Sequence, residues 1–219
     1  PEQAASLNAL QVAFAELCNA IAPVVAQTRC WNRVTLHHWL YRSLRERFPQ
    51  MGSQMVCNAI YSVSRTSRLL FQTPRSPLNI QKLVGRSLPV LKFLPSAPVY
   101  FDRHTLSLKH GAISMYTMEG RMRFDARLQP EQEALFANSK LQEIVLRSTA
   151  PDRFLLAFSF AQTTASLGGE NAAADEGPEG QLPEYILVME DANSVPPAAL
   201  ATGPWAAHHT HNTPIGNVN

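Results

Sequence analysis

Apolar side chains recur at Leu7, Leu10, Phe14, Leu17, Ile21 and Val24, a spacing that alternates three and four. That rhythm lines them along one seam, so residues 2–27 are expected to form a long helix buried on that side. Pro1 suits its first turn and Pro23 should bend its last. Two shorter helices are predicted over residues 35–48 and 53–71, joined by a turn at Pro49, Gln50, Met51 and Gly52. In the first, Leu36, Leu40, Leu44 and Phe48 point inward and His38, Arg42 and Arg45 outward, with Thr35 as cap. In the second, Val56, Ala59, Ile60, Val63 and Leu70 share a stripe, and Gln54, Asn58, Tyr61, Arg65 and Arg68 lie opposite. Ser53 is placed to offer its hydroxyl to the unpaired N–H groups of that helix's first turn. The long helix is expected to pack on the inward faces of the other two, giving a three-helix unit.

The pattern then changes. Pro74, Pro77, Pro89, Pro95 and Pro98 exclude a continuous helix over residues 74–98, although 79–86 suffices for a short one. Beyond them apolar and polar residues alternate, and residues 99–101, 105–108, 112–118 and 121–124 read as strands, with hairpin turns at His110-Gly111 and Glu119-Gly120. Residues 130–139 form a short helix with acid in its first turn, as the macrodipole prefers, and residues 141–148 and 153–161 a hairpin around Ala150, Pro151 and Asp152. Strands this closely spaced suggest a barrel or tightly twisted sheet. From residue 162 the composition collapses to Ala, Gly, Pro, Thr and Asn, with one apolar run at 185–189, and the tail is expected to be mainly disordered. The fold class is therefore α+β. A helical bundle (residues 1–92) packs on a small β-barrel or twisted antiparallel sheet (98–161), followed by an acidic low-complexity tail (162–219).

Charge sharpens this division. The chain has 219 residues and 45% apolar content, enough for a core, and its net charge is only +2. Residues 29–92 nevertheless carry eleven of the nineteen Lys and Arg and a single acid, Glu46, a local net charge of +10. Residues 161–219 hold no basic residue and seven acids. A polar helix face with several Arg is usually just solvated, but solvated faces normally mix both signs. A one-sided basic helix pair points instead to phosphate. The three cysteines Cys18, Cys30 and Cys57 lack Cys-x-x-Cys spacing and read as reduced, mostly buried thiols of a cytoplasmic protein. No run of eighteen apolar residues and no signal-peptide pattern is found, so no membrane is expected as a partner.

Several phrases resemble one family in order. Tyr41-Arg-Ser-Leu-Arg-Glu-Arg-Phe-Pro, Gly52-Ser-Gln-Met and Asn58-Ala-Ile are similar to the helical recognition segment of TnpB-like transposases, the transposon-encoded relatives of type V CRISPR effectors. Val99-Tyr-Phe-Asp-Arg-His-Thr-Leu-Ser-Leu-Lys, Gly111-Ala-Ile-Ser and Glu119-Gly120-Arg resemble their wedge barrel, and residues 141–160 its closing hairpin. The resemblance covers residues 1–161. It implies a part of an RNA-guided DNA endonuclease in which helices and barrel hold a guide RNA, the guide-target duplex and a short flanking DNA motif. In the family a first barrel strand precedes the helices, and this chain opens at Pro1 without Met, so an upstream segment is expected. Family members cut with a RuvC-type site, in which three carboxylates hold two metals that stabilise the attacking and leaving oxygens. Here the only candidate opening strand is residues 185–189 followed by Glu190 and Asp191, and no acid follows Asp191. The two-metal site cannot be assembled from these residues.

The expected function is thus binding of RNA and DNA without catalysis, cofactor, metal or small-molecule substrate. The alternatives are a nuclease whose catalytic half lies elsewhere, or a decayed transposase remnant. The residues assigned to nucleic acid are Arg29, Arg33, Arg42, Arg45, Gln54, Asn58, Tyr61, Arg65, Arg68, Lys82, Arg86 and Lys92. Arg65 and Arg68 are to meet phosphates, Gln54 and Asn58 to hydrogen-bond bases, and Tyr61 to stack. His208, His209 and His211 have no nearby carboxylate or thiol and read as a tail rather than a metal site. His37 and His38 fall on opposite sides of a helix start, one inward, which argues against a shared metal. Gly168-Gly169 lacks the lysine and helix of a phosphate loop, and no Ser-His-Asp arrangement is evident.

Overall fold

The computed structural model describes residues 2–109, 111–161 and 182–189. Three helices open it: α1 (Glu2–Thr28), α2 (Arg33–Arg47) and α3 (Ser53–Gln72). The α1 seam is as its spacing predicts, with Leu10, Phe14, Leu17, Ile21 and Val24 all buried. At about 1.5–3 kcal/mol for each fully buried side chain, this seam is a large share of the core. α1 runs through Pro23, and Arg29 takes a left-handed backbone (φ 52°) that ends it. By length and composition α1 is apolar enough to cross a membrane, but 72% of its most apolar window is buried inside the fold.

The caps differ from expectation by three residues in α2 and by one in α3. Asn32, not Thr35, caps α2, its side-chain oxygen accepting from the Thr35 N–H at 3.0 Å. Gly52, not Ser53, precedes α3, and its N–H donates to the Tyr116 hydroxyl at 2.9 Å. That phenol in turn donates to the Gln50 carbonyl at 3.0 Å. A Cβ on residue 52 would lie 3.1 Å from the Tyr116 ring, so glycine there allows the turn to approach the sheet closely. α3 is the central helix: it packs against both α1 and α2, whereas α1 and α2 touch only lightly.

The expected short helix at 79–86 is a single 3-10 turn, Ile80–Leu83, started by the Asn79 side chain. Next comes a strand that the proline count concealed, β1 (Val90–Phe93). Then follow β2 (Val99–Phe101), β3 (Leu106–Lys109), β4 (Ala112–Thr117), β5 (Gly120–Asp125), α4 (Pro130–Asn138), β6 (Leu141–Ala150) and β7 (Arg153–Phe160). They form two three-stranded antiparallel sheets, in the orders β2-β6-β7 and β3-β4-β5. Gly111 and Gly120 take positive φ at the two predicted turns, where other residues would be strained. The architecture is α+β, with N-terminal helices packed against small antiparallel sheets.

The apolar run in the tail joins the fold. Ile186–Met189 is a strand, β8, paired antiparallel with β1, so Phe93 faces Ile186 and Val90 faces Met189. Ile186 is buried, and β1 itself packs on α1. The Asn19 amide of α1 stands in for a further strand: it donates to the Phe93 carbonyl at 2.9 Å and accepts from the Phe93 N–H at 2.7 Å. Lys92, expected in a loose connector, is therefore held on a strand, opposite Leu187. The other tail residues singled out above, Gly168, Gly169, Glu190, Asp191, His208, His209 and His211, lie outside the described residues.

If β8 is part of the fold, Ile186→Ala should destabilise the protein by about 2–4 kcal/mol in urea unfolding. A midpoint unchanged from wild type would show that β8 contributes nothing. Tyr116→Phe removes one acceptor and one donor at the α2–α3 turn and should cost about 1–3 kcal/mol by the same measurement.

Candidate nucleic-acid interface

The middle of the polar stripe of α3 does not face solvent. Asn58 is 6% exposed, and its amide donates to the Tyr100 carbonyl at 3.0 Å and to the Thr105 hydroxyl at 3.5 Å. The Tyr61 hydroxyl donates to the Glu143 carboxylate at 2.9 Å, and the Arg65 guanidinium pairs with the same oxygen. These three residues, assigned above to bases, ring stacking and phosphate, instead fasten α3 to the β2-β6-β7 sheet. Periodicity correctly puts them on one face, but the sheet covers that face.

Aromatic rings complete this junction. Tyr61 meets Tyr100 edge to face with centroids 5.4 Å apart, and Arg65 lies over the Tyr100 ring at 5.6 Å. Arg33, exposed at the start of α2, covers the Tyr61 ring at 5.2 Å. Burial and the Glu143 charge both push the Tyr61 phenol above its ordinary pKa, so it remains a donor. Burial works against the Arg65 cation, but Tyr100, Glu143 and Tyr61 outweigh it and hold its pKa above the usual range. Cys57, one turn before Tyr61, is half-buried with its pKa raised chiefly by burial, Arg33 opposing and Asp102 adding to the shift. Burial likewise raises the pKa of the enclosed Cys18 thiol, and all three cysteines are free.

The remaining assigned residues are spread over several surfaces. Arg42 is exposed on α2 and pairs with Glu46 one turn on, at 3.3 Å. Arg45 is half-buried and donates to the Met51 carbonyl in the α2–α3 turn. Gln54 is half-buried in the first turn of α3, and Arg68 is exposed near its end. Arg29 reaches the Arg86 carbonyl, and the Lys82 ammonium donates to the Ser76 carbonyl at 2.9 Å, so these cations lie around the 3-10 turn. His37 faces outward beside His38, contrary to its expected inward placement, and stacks on Tyr41 at 4.7 Å.

One basic face was not assigned from the sequence. On the β3-β4-β5 sheet, register puts Leu106, Met115 and Met122 in one row, with Leu106 and Met115 buried. The opposite face holds Ser107, Ser114 and Arg123 in one row and Tyr116 opposite Arg121. Arg121 is aligned by Ser114, whose hydroxyl and carbonyl accept at 2.9 and 2.8 Å, and by the His104 carbonyl at 3.2 Å. Tyr116 links this face to the α2–α3 turn that Arg45 also touches. Tyr116 thus ties the sheet that carries Arg121 and Arg123 to the turn that follows α2. The signal for this face was the alternation in Arg121-Met-Arg123-Phe, which places both arginines on the face away from the core.

Among the described residues no group of three or more His, Cys, Asp or Glu is placed to hold a metal ion. Comparison with protein-family models, with curated proteins and with solved structures finds no match to this chain.

The side chains of Arg65 and Glu143 are only 19% and 15% exposed, so removing one partner leaves a charge in a poorly hydrated place. Glu143→Ala should destabilise the fold by about 3 kcal/mol. Glu143→Gln should cost markedly less, because its amide oxygen still accepts from Tyr61 and Arg65. Chemical denaturation of the two variants measures the difference, and equal losses would mean that the hydrogen bonds contribute little.

Proposed function

We propose that this chain is a nucleic-acid-binding module, the RNA- and DNA-holding recognition part of a TnpB-like transposase, working in the cytoplasm without catalysis of its own. The phrases at Tyr41–Pro49, Gly52–Met55 and Val99–Lys109 support the family, and the charge distribution supports the ligand. One observation carries the binding reading: the sheet that bears Arg121 and Arg123 is tied through Tyr116 to the α2–α3 turn, where Arg45 is also held. Exposed cations carried on rigid elements suit a phosphate backbone, whose charges are regularly spaced and indifferent to sequence. The ligand surface therefore moves from α3, where Asn58, Tyr61 and Arg65 are occupied, to α2 and the outer face of β3-β4-β5.

In this reading Arg42 and Arg123 act as phosphate contacts, Arg45 and Arg121 are held in place by backbone carbonyls, and Ser107 and Ser114 supply hydroxyl donors. Tyr116 is engaged with the turn and positions the surface. Each phosphate contact releases about one counterion, so the salt dependence of binding counts such contacts. Arg42→Ala combined with Arg123→Ala should reduce the slope of log K against log salt by about two units and leave the fold intact. Filter binding of single-stranded RNA and duplex DNA from 50 to 300 mM salt, roughly the range in which such slopes are measured, tests it. No salt-dependent binding by the wild-type chain would end the reading, and an unchanged slope in the double variant would move the surface elsewhere.

A further inference from the structure

The junction of α3 with β6 has the makings of an anion site that the protein itself fills. Tyr61 and Arg65 both direct their donors at one oxygen of Glu143, Oε1. A phenol and a guanidinium converging on one oxyanion form a pattern that serves a phosphate oxygen as well as a carboxylate. Arg33 lies over the Tyr61 ring, so a second guanidinium stands beside the phenol. The ion pair is shielded but not sealed, with 19% and 15% of the two side chains still open to solvent.

The strand that carries Glu143 is irregular at that place. The β6-β7 ladder pairs Leu141 with Phe160 and then Glu143 with Ser159, a register shift between the two. A bulge re-aims a side chain and interrupts regular pairing, so the Glu143 carboxylate can turn away without breaking a continuous ladder. Released into water it regains hydration, and the guanidinium and phenol it leaves behind need another oxyanion.

We propose that Glu143 is an internal competitor for a nucleic-acid phosphate: in the structure it closes the Arg33-Tyr61-Arg65 corner, and a bound backbone phosphate takes its place. This rests on the nucleic-acid reading above and adds a regulated contact to it. The carboxylate weakens binding by occupying the donors and by repelling the incoming phosphate. A partner without clustered negative charge has no means of displacing it, so the corner discriminates for polyanions.

The probe is a fluorescent single-stranded RNA of about twenty nucleotides, long enough for several phosphate contacts, titrated across a salt series. The proteins are wild type, Glu143→Gln, Glu143→Gln with Arg65→Ala, and Glu131→Gln as a remote charge control on exposed α4. Glu143→Gln should tighten binding about tenfold, because the phosphate then displaces a neutral amide rather than a carboxylate. Adding Arg65→Ala should cancel the gain, and Glu131→Gln should not produce it. An equal gain in Glu131→Gln would reduce the effect to net charge and overturn the proposal. Unchanged affinity in Glu143→Gln, with wild-type binding still salt-dependent, would overturn it and leave the nucleic-acid reading standing. Side-chain NMR of Arg65 in the wild type reads the exchange without any substitution. Its guanidinium N–H signals should shift on saturation with RNA, and signals that stay put would overturn the proposal however the variants fold.

Discussion

Helix α3 is covered on two sides, by α1 and α2 along its apolar stripe and by the β2-β6-β7 sheet along its polar one, and this constraint shapes the rest of the molecule. A helix so enclosed cannot leave its polar side chains to water, since each unsatisfied buried group costs about 1–3 kcal/mol. Asn58 therefore seeks the Tyr100 carbonyl and Thr105, and Tyr61 and Arg65 seek Glu143. Those bonds also fix where the sheet docks, because an apolar contact tolerates sliding and a hydrogen-bonded one does not. Even so, the Ser67 hydroxyl remains without a partner among the described atoms. The structure offers no physical reason for it.

Much of the fold was legible because it is local. Leu10, Phe14, Leu17 and Ile21 announce the α1 seam, Leu36, Leu40 and Leu44 that of α2, and the alternation in Ala112–Thr117 its strand. What failed was knowledge of the covering partner. Periodicity states that Asn58, Tyr61 and Arg65 share a face, but whether that face meets water or a sheet depends on β6, some eighty residues later in the chain. β1 was missed for the same reason: four residues carry little local signal, and it is a strand only through β8 and Asn19. The caps erred less, since Asn32 and Thr35 are both competent and only packing decides between them.

The candidate surface was legible in its charge and not in its location. Eleven basic residues with one acid over residues 29–92 gave its sign, but the sequence distributes them evenly among helix faces and connectors. Folding sorts them. Arg65 is taken inside with a carboxylate, Arg29 and Lys82 are tied to backbone carbonyls, and Arg42 remains on the outer face of α2. Arg121 and Arg123, from beyond that segment, add two cations on β5, whose sheet Tyr116 ties to the α2–α3 turn.

Glu143 is the clearest case of this sorting. As the acid that lets α3 dock, it converts Arg65 from a surface cation into an interior one and removes it from the field seen by a ligand. Its carboxylate therefore sets two properties at once, the rigidity of the α3-sheet junction and the strength of the positive corner beside α2. A neutral side chain there would leave Arg65 uncompensated, and a longer-range screen would not reach a pair so little exposed. Only another oxyanion satisfies both demands, so the junction and the corner are governed by the same chemistry.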